Sequence, residues 1–391
     1  MIEENLKIKV SQGHKIRVAF LVVSEQIFQA RPLFDAMLKE EVFEPFIVVI
    51  GDVSWGFKSM ISRVEKTYNV LSSQYSTVYK SYDNDSFIDF SSKMDMVCNM
   101  NPYDSAVHEY YRIGYLKDKG ILSFYIFYAY NGLFQYNKYI LPKNHIFSCA
   151  WKIFLENKNV LIFMKKFRGF KINNLLVTGY CKMDSISLIN RKEHTRKKII
   201  IAPHHSIIKN KYSISISNFI NYADFILELP RLYANVDFIF RPHPYLFDRL
   251  IVTNIWSLEK IDKYLQDIKA IPNMVYDNSG DYFDLFVNSD ALIHDCGSFL
   301  AEYLYTDHPQ CFLLKDEEEI DDQFLPFGKK ILNHVYKAFC KEQVANFIDN
   351  VVIKEQDYMK KSRDKFANKY IKINYPHATE TILKYIKKKL T

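Results

Sequence analysis

The chain has no run of 18 or more uninterrupted apolar residues, which excludes an ordinary membrane-spanning helix. Its first residues, MIEENLKIKVSQGHKIR, lack the apolar stretch of a secretory signal. A cytoplasmic location is therefore expected, with at most peripheral attachment at the inner face of the membrane. Cysteine is sparse and scattered: Cys98, Cys149, Cys181, Cys296, Cys311 and Cys340 form no CxxC pair. They read as reduced thiols, not as a disulfide frame or a structural zinc site. No acidic cluster has ligand spacing, so no metal is called for. Nucleic-acid recognition motifs, short repeats and low-complexity tracts are also missing, and no nucleic-acid partner is expected. Glycine is scarce, at 11 residues, beside 30 Phe and 28 Tyr. That balance reflects a bias toward Lys, Ile, Asn, Tyr and Phe more than any function.

With 391 residues, the chain is too long for one ordinary domain and suits two lobes. The net charge of +7 is concentrated in three places: Arg191 to Lys198, Lys165-Lys166-Phe167-Arg168, and the C-terminal YIKKKLT. Such runs are commonly solvated linkers or helix ends. The alternative is attraction to an anionic membrane surface or a phosphate-bearing polymer.

The continuous apolar run Ile16 to Val23 reads as a buried parallel strand. A helical pattern through Leu33, Met37 and Leu38 follows, and then a second buried strand, Phe46 to Ile50. Strand, helix, strand opens a doubly wound sheet. Further strands are expected at Asp95–Cys98, Ser123–Tyr128 and Leu175–Val177, with a helix over Phe147–Phe163. The basic stretch at Arg191 marks a boundary. Beyond it the logic repeats, with strands at Ile199–Ala202, Val236–Phe240, Asp290–His294 and Gln310–Leu314. Helices are expected over Ser217–Tyr233 and from Ser298, and a final helix from about Glu355. The fold class is α/β, with lobes at 1–190 and 191–355 and a C-terminal helix at 356–391. Ligands of such sheets bind at the carboxyl ends of the strands, and the crevice between lobes is the expected active site.

Three second-lobe segments place polar residues just after strands. Pro203-His204-His205-Ser206 offers two imidazoles and a hydroxyl. In Arg241-Pro242-His243-Pro244, the guanidinium suits phosphate oxygens and the two prolines restrict the backbone of His243. In Asp295-Cys296-Gly297-Ser298, a loop enters a helix whose free N–H groups attract a diphosphate. Each has a plainer reading: His-Pro is usually a turn, and Asp295 and Ser298 commonly cap a helix. Their recurrence at three strand ends of one lobe is the stronger signal.

These segments, FRPHP, SDALIHDCGSFLAEYLYTDHP and APHHS, resemble the CDP-glycerol glycerophosphotransferase family, which builds teichoic acids and related capsule polymers. FEPFIVVI, NPYD at Asn101–Asp104, Tyr128 to Gly132, and VTGYCKMD at Val177–Asp184 extend the resemblance into the first lobe. It implies a GT-B-like pair of Rossmann-like lobes and a cytidine-diphosphate-linked donor held mainly by the second.

By motif, His243 would be an active-site histidine beside the transferred phosphate. The resemblance assigns His205, Ser206, Arg241, Asp295, Gly297 and Ser298 to the donor, and Glu302 to its ribose or head group. Tyr103, Tyr130 and Asn131 fall on the acceptor side. Polymerising members carry a His-Gly pair where this chain has Asn131-Gly132. The base that activates the acceptor must then be another group, such as Asp104, His108, His204 or His205. The implied reaction moves glycerol phosphate, or another alditol phosphate, from CDP-glycerol or a related donor to a glycan or lipid-linked polymer, with no cofactor required. An inverting glycosyltransferase using a nucleotide-sugar donor is the alternative on this scaffold, and a non-catalytic binding subunit a third reading.

Overall fold

The computed structural model describes residues 1–140, 145–166, 172–208 and 214–391. Phe167 and Arg168 of the second basic cluster lie outside the described residues. The chain divides into two compact units: Met1–Ala129, Ile140–Ser185 and Lys372–Thr391 form the first, and Tyr130–Tyr139 with Ile186–Ile371 the second.

The first unit is built on a parallel sheet. Its strands are β1 (Ile16–Val22), β2 (Phe43–Val49), β3 (Val78–Lys80), β6 (Met96–Asn99), β7 (Leu122–Ile126), β8 (Lys152–Leu155) and β9 (Leu175–Val177). They lie in the order β3-β2-β1-β6-β7-β8-β9, and a small hairpin, β4 (Tyr82–Asp83) and β5 (Ser86–Phe87), stands apart from them. Alternate residues of β1 serve two different cores. Val18, Phe20 and Val22 pack with Leu33 and Phe34, whereas Ala19 and Leu21 pack with Val48, Val97 and Leu116. A strand buried on both faces reads as an unbroken apolar run, and that is why β1 is legible in the sequence.

The second unit repeats the plan with β10 (Lys197–Ala202), β11 (Val236–Phe240), β12 (Met274–Tyr276), β13 (Ala291–His294), β14 (Gln310–Leu313) and β15 (Tyr336–Ala338). Every pairing is parallel, in the order β12-β11-β10-β13-β14-β15. Ile199 and Ile201 face one core, Ile200 and Ala202 the other. The winding reverses between β10 and β13, and loops leaving such a switch point diverge and make room for a ligand. The loops after β10, β11 and β13 therefore start as neighbours. Two doubly wound parallel sheets in one chain give the α/β, Rossmann-like, GT-B-like fold class expected from the sequence.

Two expectations are corrected. The segment Phe147–Phe163 is not one helix: helices His145–Cys149 and Lys158–Met164 flank strand β8. A short apolar run cannot be assigned by periodicity alone, but Asn157 marks the break. Its side chain caps the second helix, accepting from the N–H of Asn159 at 2.7 Å and of Val160 at 3.2 Å. The final helix is likewise two, Lys360–Tyr370 and Ala378–Leu390. Pro376, which cannot donate to a helix ladder, falls between them. The first belongs to the second unit, where buried Arg363 pairs with Asp357 at 2.6 Å. The last buries Ile382, Ile386 and Leu390 in the core of the first unit.

Candidate active site

Strand pairing brings the three polar segments of the second unit together. Ile201 of β10 lies opposite Phe240 of β11. The loops continue that pairing: Arg241 N–H donates to the Ile201 carbonyl at 2.8 Å, and His243 N–H to the Pro203 carbonyl at 2.9 Å. From β13, the carboxylate of Asp295 accepts the His204 N–H through one oxygen and the Asn218 N–H, at 2.6 Å, through the other. Three imidazoles gather as a result. Ring centroids are 4.2 Å apart for His204 and His205, 5.0 Å for His204 and His243, and 4.0 Å for His205 and His243.

A nitrogen of each ring lies within 4.8 Å of the others, close enough to suggest a metal site. The hydrogen bonds point elsewhere. Nδ1 of His204 accepts the Ser206 N–H at 3.3 Å and faces the Ser206 hydroxyl at 2.8 Å. Nδ1 of His243 accepts the Tyr245 N–H at 3.1 Å. An N–H aimed at Nδ1 favours that nitrogen as the acceptor, and so favours the form of both rings with the proton on Nε2. A metal-binding histidine needs the reverse: a bare nitrogen toward the metal and a proton on the other, facing an acceptor. His204 and His243 thus present N–H donors at Nε2, which fits an anion. Among the described residues, Nδ1 of His205 is buried with no hydrogen-bond partner, a polar atom left for a ligand to satisfy.

Burial holds these rings neutral. It pushes His205 down to about 4, with the charge of Arg249 adding to the effect. His204 and His243 are held well below the usual imidazole range by burial and then by neighbouring histidines.

Other expected donor contacts are already engaged. The Arg241 guanidinium pairs with the Asp277 carboxylate and donates to the Ser279 hydroxyl at 3.2 Å and carbonyl at 2.8 Å. It also lies 5.5 Å from the centre of the Tyr282 ring. Arg241 therefore orders the loop after β12 and is not an open fork. Glu302 is fully buried and accepts from the Tyr282 hydroxyl. Asp295 is also fully buried with both oxygens occupied by backbone N–H groups. It ties two loops together. The helix expected from Ser298 is a single turn, Phe299–Glu302, and the Ser298 side chain caps nothing. Gly297 has a steric reason: a Cβ there would sit 2.7 Å from the Phe134 ring.

The first-unit candidates follow β6. Asp104 accepts the Ile113 N–H at 2.8 Å and so begins the helix Ile113–Asp118. Burial raises its pKa although that N–H pulls the other way. Tyr103 is exposed, its hydroxyl 3.3 Å from that of Tyr128. His108 stacks on Phe87 at 3.8 Å, with Nδ1 accepting the Tyr110 N–H at 3.5 Å. Asn99, Asn101, Tyr103 and Asp104 border a cavity of about 10 Å³, room for about one water. Tyr130 and Asn131, expected beside them in the first lobe, are buried residues of the second unit.

The basic stretch at the opposite end of β10 borders a cavity of about 470 Å³. Four of its five Lys and Arg side chains pair with carboxylates: Arg191 with Asp290 at 2.8 Å, Lys192 with Asp284 at 3.1 Å, Arg196 with Asp237 at 2.6 Å and Lys197 with Glu355 at 2.5 Å. The plainer reading of that run, a structural surface, is the one its partners support.

Among solved structures, the chain is similar to the wall teichoic acid polymerase TagF, at 14% identity and a TM-score of 0.65, covering 99% of this chain and 93% of that one. A TagF variant soaked with CDPG aligns at 15% identity and a TM-score of 0.64, covering 96% and 89%. The UDP-GlcNAc 2-epimerase from Neisseria meningitidis, bound to UDP-GlcNAc, aligns at 14% and 0.60, covering 96% and 100%. At these identities the likeness is one of fold. No curated protein matches the sequence. The family model described as CDP-glycerol:poly(glycerophosphate) glycerophosphotransferase matches residues 153–388. That range is more than half of the chain and contains all three histidines of the cluster. The chain is a transferase and belongs to the CDP-glycerol:poly(glycerophosphate) glycerophosphotransferase family.

Proposed function

We propose that the histidine cluster receives the phosphate moved in this family's reaction, the transfer of glycerol phosphate from CDP-glycerol to a hydroxyl of a teichoic-acid-like or capsule acceptor. The observation that carries this reading is the direction of the hydrogen bonds at His204 and His243, which makes their Nε2 atoms donors.

In the transfer, the acceptor oxygen bonds to the phosphorus bearing glycerol, and the bond from that phosphorus to the CMP oxygen breaks. Catalysis of such a step is mainly positioning and stabilisation of charge on phosphate oxygens. CMP departs as a phosphate whose last proton has a pKa near ~6, so it leaves at neutral pH without a general acid. Neutral imidazoles suit this work because they stabilise charge without donating a proton outright. Burial favours the protonated form of Asp104 in the first unit, the character a general base needs. His108 is less suited, with its ring stacked and Nδ1 engaged.

The test is product identity and pH dependence. CMP is expected from CDP-glycerol; a nucleoside diphosphate released from a sugar nucleotide instead would overturn the reading in favour of glycosyl transfer. A histidine acting as general acid with an ordinary pKa would make the rate fall as pH rises through about 6.5. Here the imidazoles are already deprotonated in that range. On their account kcat/KM is expected to stay level between about pH 5.5 and 8. Their own contribution changes as pH falls toward the His205 value of about 4.

Among the described residues, no helix is long and apolar enough to cross a membrane. Lys388 and Lys389 are exposed on the last helix, whose Ile382 and Ile386 are buried. We assign them to an anionic membrane surface at the inner face, where each lysine contributes roughly 1 kcal/mol. Changing both to glutamate is expected to weaken sedimentation with phosphatidylglycerol vesicles by roughly tenfold or more. Unaltered sedimentation would remove the assignment.

A further inference from the structure

We infer that Ser206 is a positioning residue for the transfer, holding the His204 ring with its proton on Nε2. This rests on the reading of the histidine cluster as the phosphate site.

The argument follows the protons. The Ser206 hydroxyl oxygen accepts the Ile216 N–H at 3.2 Å. That leaves its own proton to be donated, and Nδ1 of His204 stands 2.8 Å away. The Ser206 backbone N–H reaches the same nitrogen at 3.3 Å. Ser206 thus supplies both donors that mark Nδ1 as the acceptor, the hydroxyl being the closer. The rest of His204 is held separately: its N–H by Asp295, and its carbonyl by the Ser217 hydroxyl at 2.6 Å. Backbone contacts place the residue, and Ser206 places the ring.

His204 and Ser206 are both buried, so water does not readily replace a lost hydroxyl. Without it the ring keeps one long bond at Nδ1. The other tautomer, with a proton on Nδ1 and a bare Nε2, becomes accessible. A bare nitrogen repels a phosphate oxygen where an N–H attracts it. The penalty falls mainly on the transferring state, in which phosphate charge is most developed.

The experiment compares Ser206→Ala and Ser206→Thr with the unaltered enzyme in CMP release from CDP-glycerol. Imidazole ¹⁵N shifts report the His204 tautomer, and thermal midpoints check folding. Ser206→Ala is expected to lower kcat about tenfold with KM changed less than about threefold, short of the roughly 10⁴-fold loss a wholly wrong tautomer costs a hydrolase histidine. Its His204 signals should shift toward a tautomer mixture. Ser206→Thr, which keeps the hydroxyl, should recover most of kcat and the Nε2–H form. Unchanged kcat in folded Ser206→Ala overturns the inference. So does a fall in kcat with the ring still wholly in the Nε2–H form, which would leave Ser206 a merely structural role. His204→Ala separates the two levels: normal turnover in that variant removes the phosphate-site reading itself. Impaired turnover there beside normal Ser206→Ala removes only the positioning role.

Discussion

Replacing His243 with alanine is expected to slow glycerophosphate transfer by roughly 10²–10³-fold, the loss that follows removal of one preorganised donor from a charge-stabilising site. The expectation rests on how little freedom the ring has. Pro242 and Pro244 restrict the backbone, its N–H is held by the Pro203 carbonyl, and Nδ1 is held by Tyr245. The donor is in place before substrate arrives, so its removal appears in kcat more than in the affinity for CMP. The protein should stay folded, because the helix Leu246–Val252 begins from the His243 carbonyl, which the variant keeps. Single-turnover rates with CDP-glycerol, beside CMP binding by calorimetry, measure both quantities. Transfer within threefold of the unaltered enzyme would show that phosphate charge is stabilised elsewhere.

Asp295→Asn is expected to cost about 2–4 kcal/mol of stability despite the near-identical shape of the two side chains. Both carboxylate oxygens accept a backbone N–H, one from His204 and one from Asn218. An asparagine must turn its NH₂ toward one of them, donor against donor, in a fully buried place. The pH dependence gives a second readout. Burial raises the Asp295 pKa to about 7, although the two N–H groups pull it down. The folded state then binds more protons than the unfolded chain, whose aspartate titrates near ~3.9. Stability from this group is present below that value and is lost as pH rises through about 7. The variant lacks the slope. Its deficit should therefore be larger at pH 5 than at pH 8, measured as the difference in urea unfolding free energy. Taking the difference removes His294 and His308, each pushed down to about 4 by burial, whose contribution is lost in the opposite direction, as pH falls. A deficit below about 1 kcal/mol at both pH values would mean that the two loops hold without the carboxylate.

Much of the fold was legible because double-sided burial leaves a mark. Ile16–Val22 and Ile199–Ala202 are apolar at nearly every position, and the polar clusters after β10, β11 and β13 end their strands clearly. Strands β3, β12 and β15 were not anticipated. Each has three residues and carries exposed or half-buried side chains, as in Tyr79, Val275 and Lys337, so no apolar run forms. Missing β12 had a consequence for the site. The loop Asp277–Asp281 follows that strand and holds the partners of Arg241, so the guanidinium looked open. Asp-Asn-Ser-Gly-Asp after Met274-Val275-Tyr276 was a readable turn signal. The tautomers of His204 and His243 lay beyond sequence reasoning, since they depend on where the N–H groups of Ser206 and Tyr245 point. Sequence also gave no hint that Tyr130–Tyr139 packs with the second unit, through Phe134 beside Phe324 and the Leu133 carbonyl against Gly328.

The last helix, Ala378–Leu390, fills the core of a unit whose first strand begins at Ile16. During synthesis those pieces emerge far apart in time, with the whole of the second unit made between them. Leu33, Phe34 and Met37 leave the ribosome long before Ile382 and Ile386 exist to complete their core. The second unit meets no such delay and can close as soon as Ile371 has appeared. The unit whose first strand is made first is therefore the later of the two to complete its core.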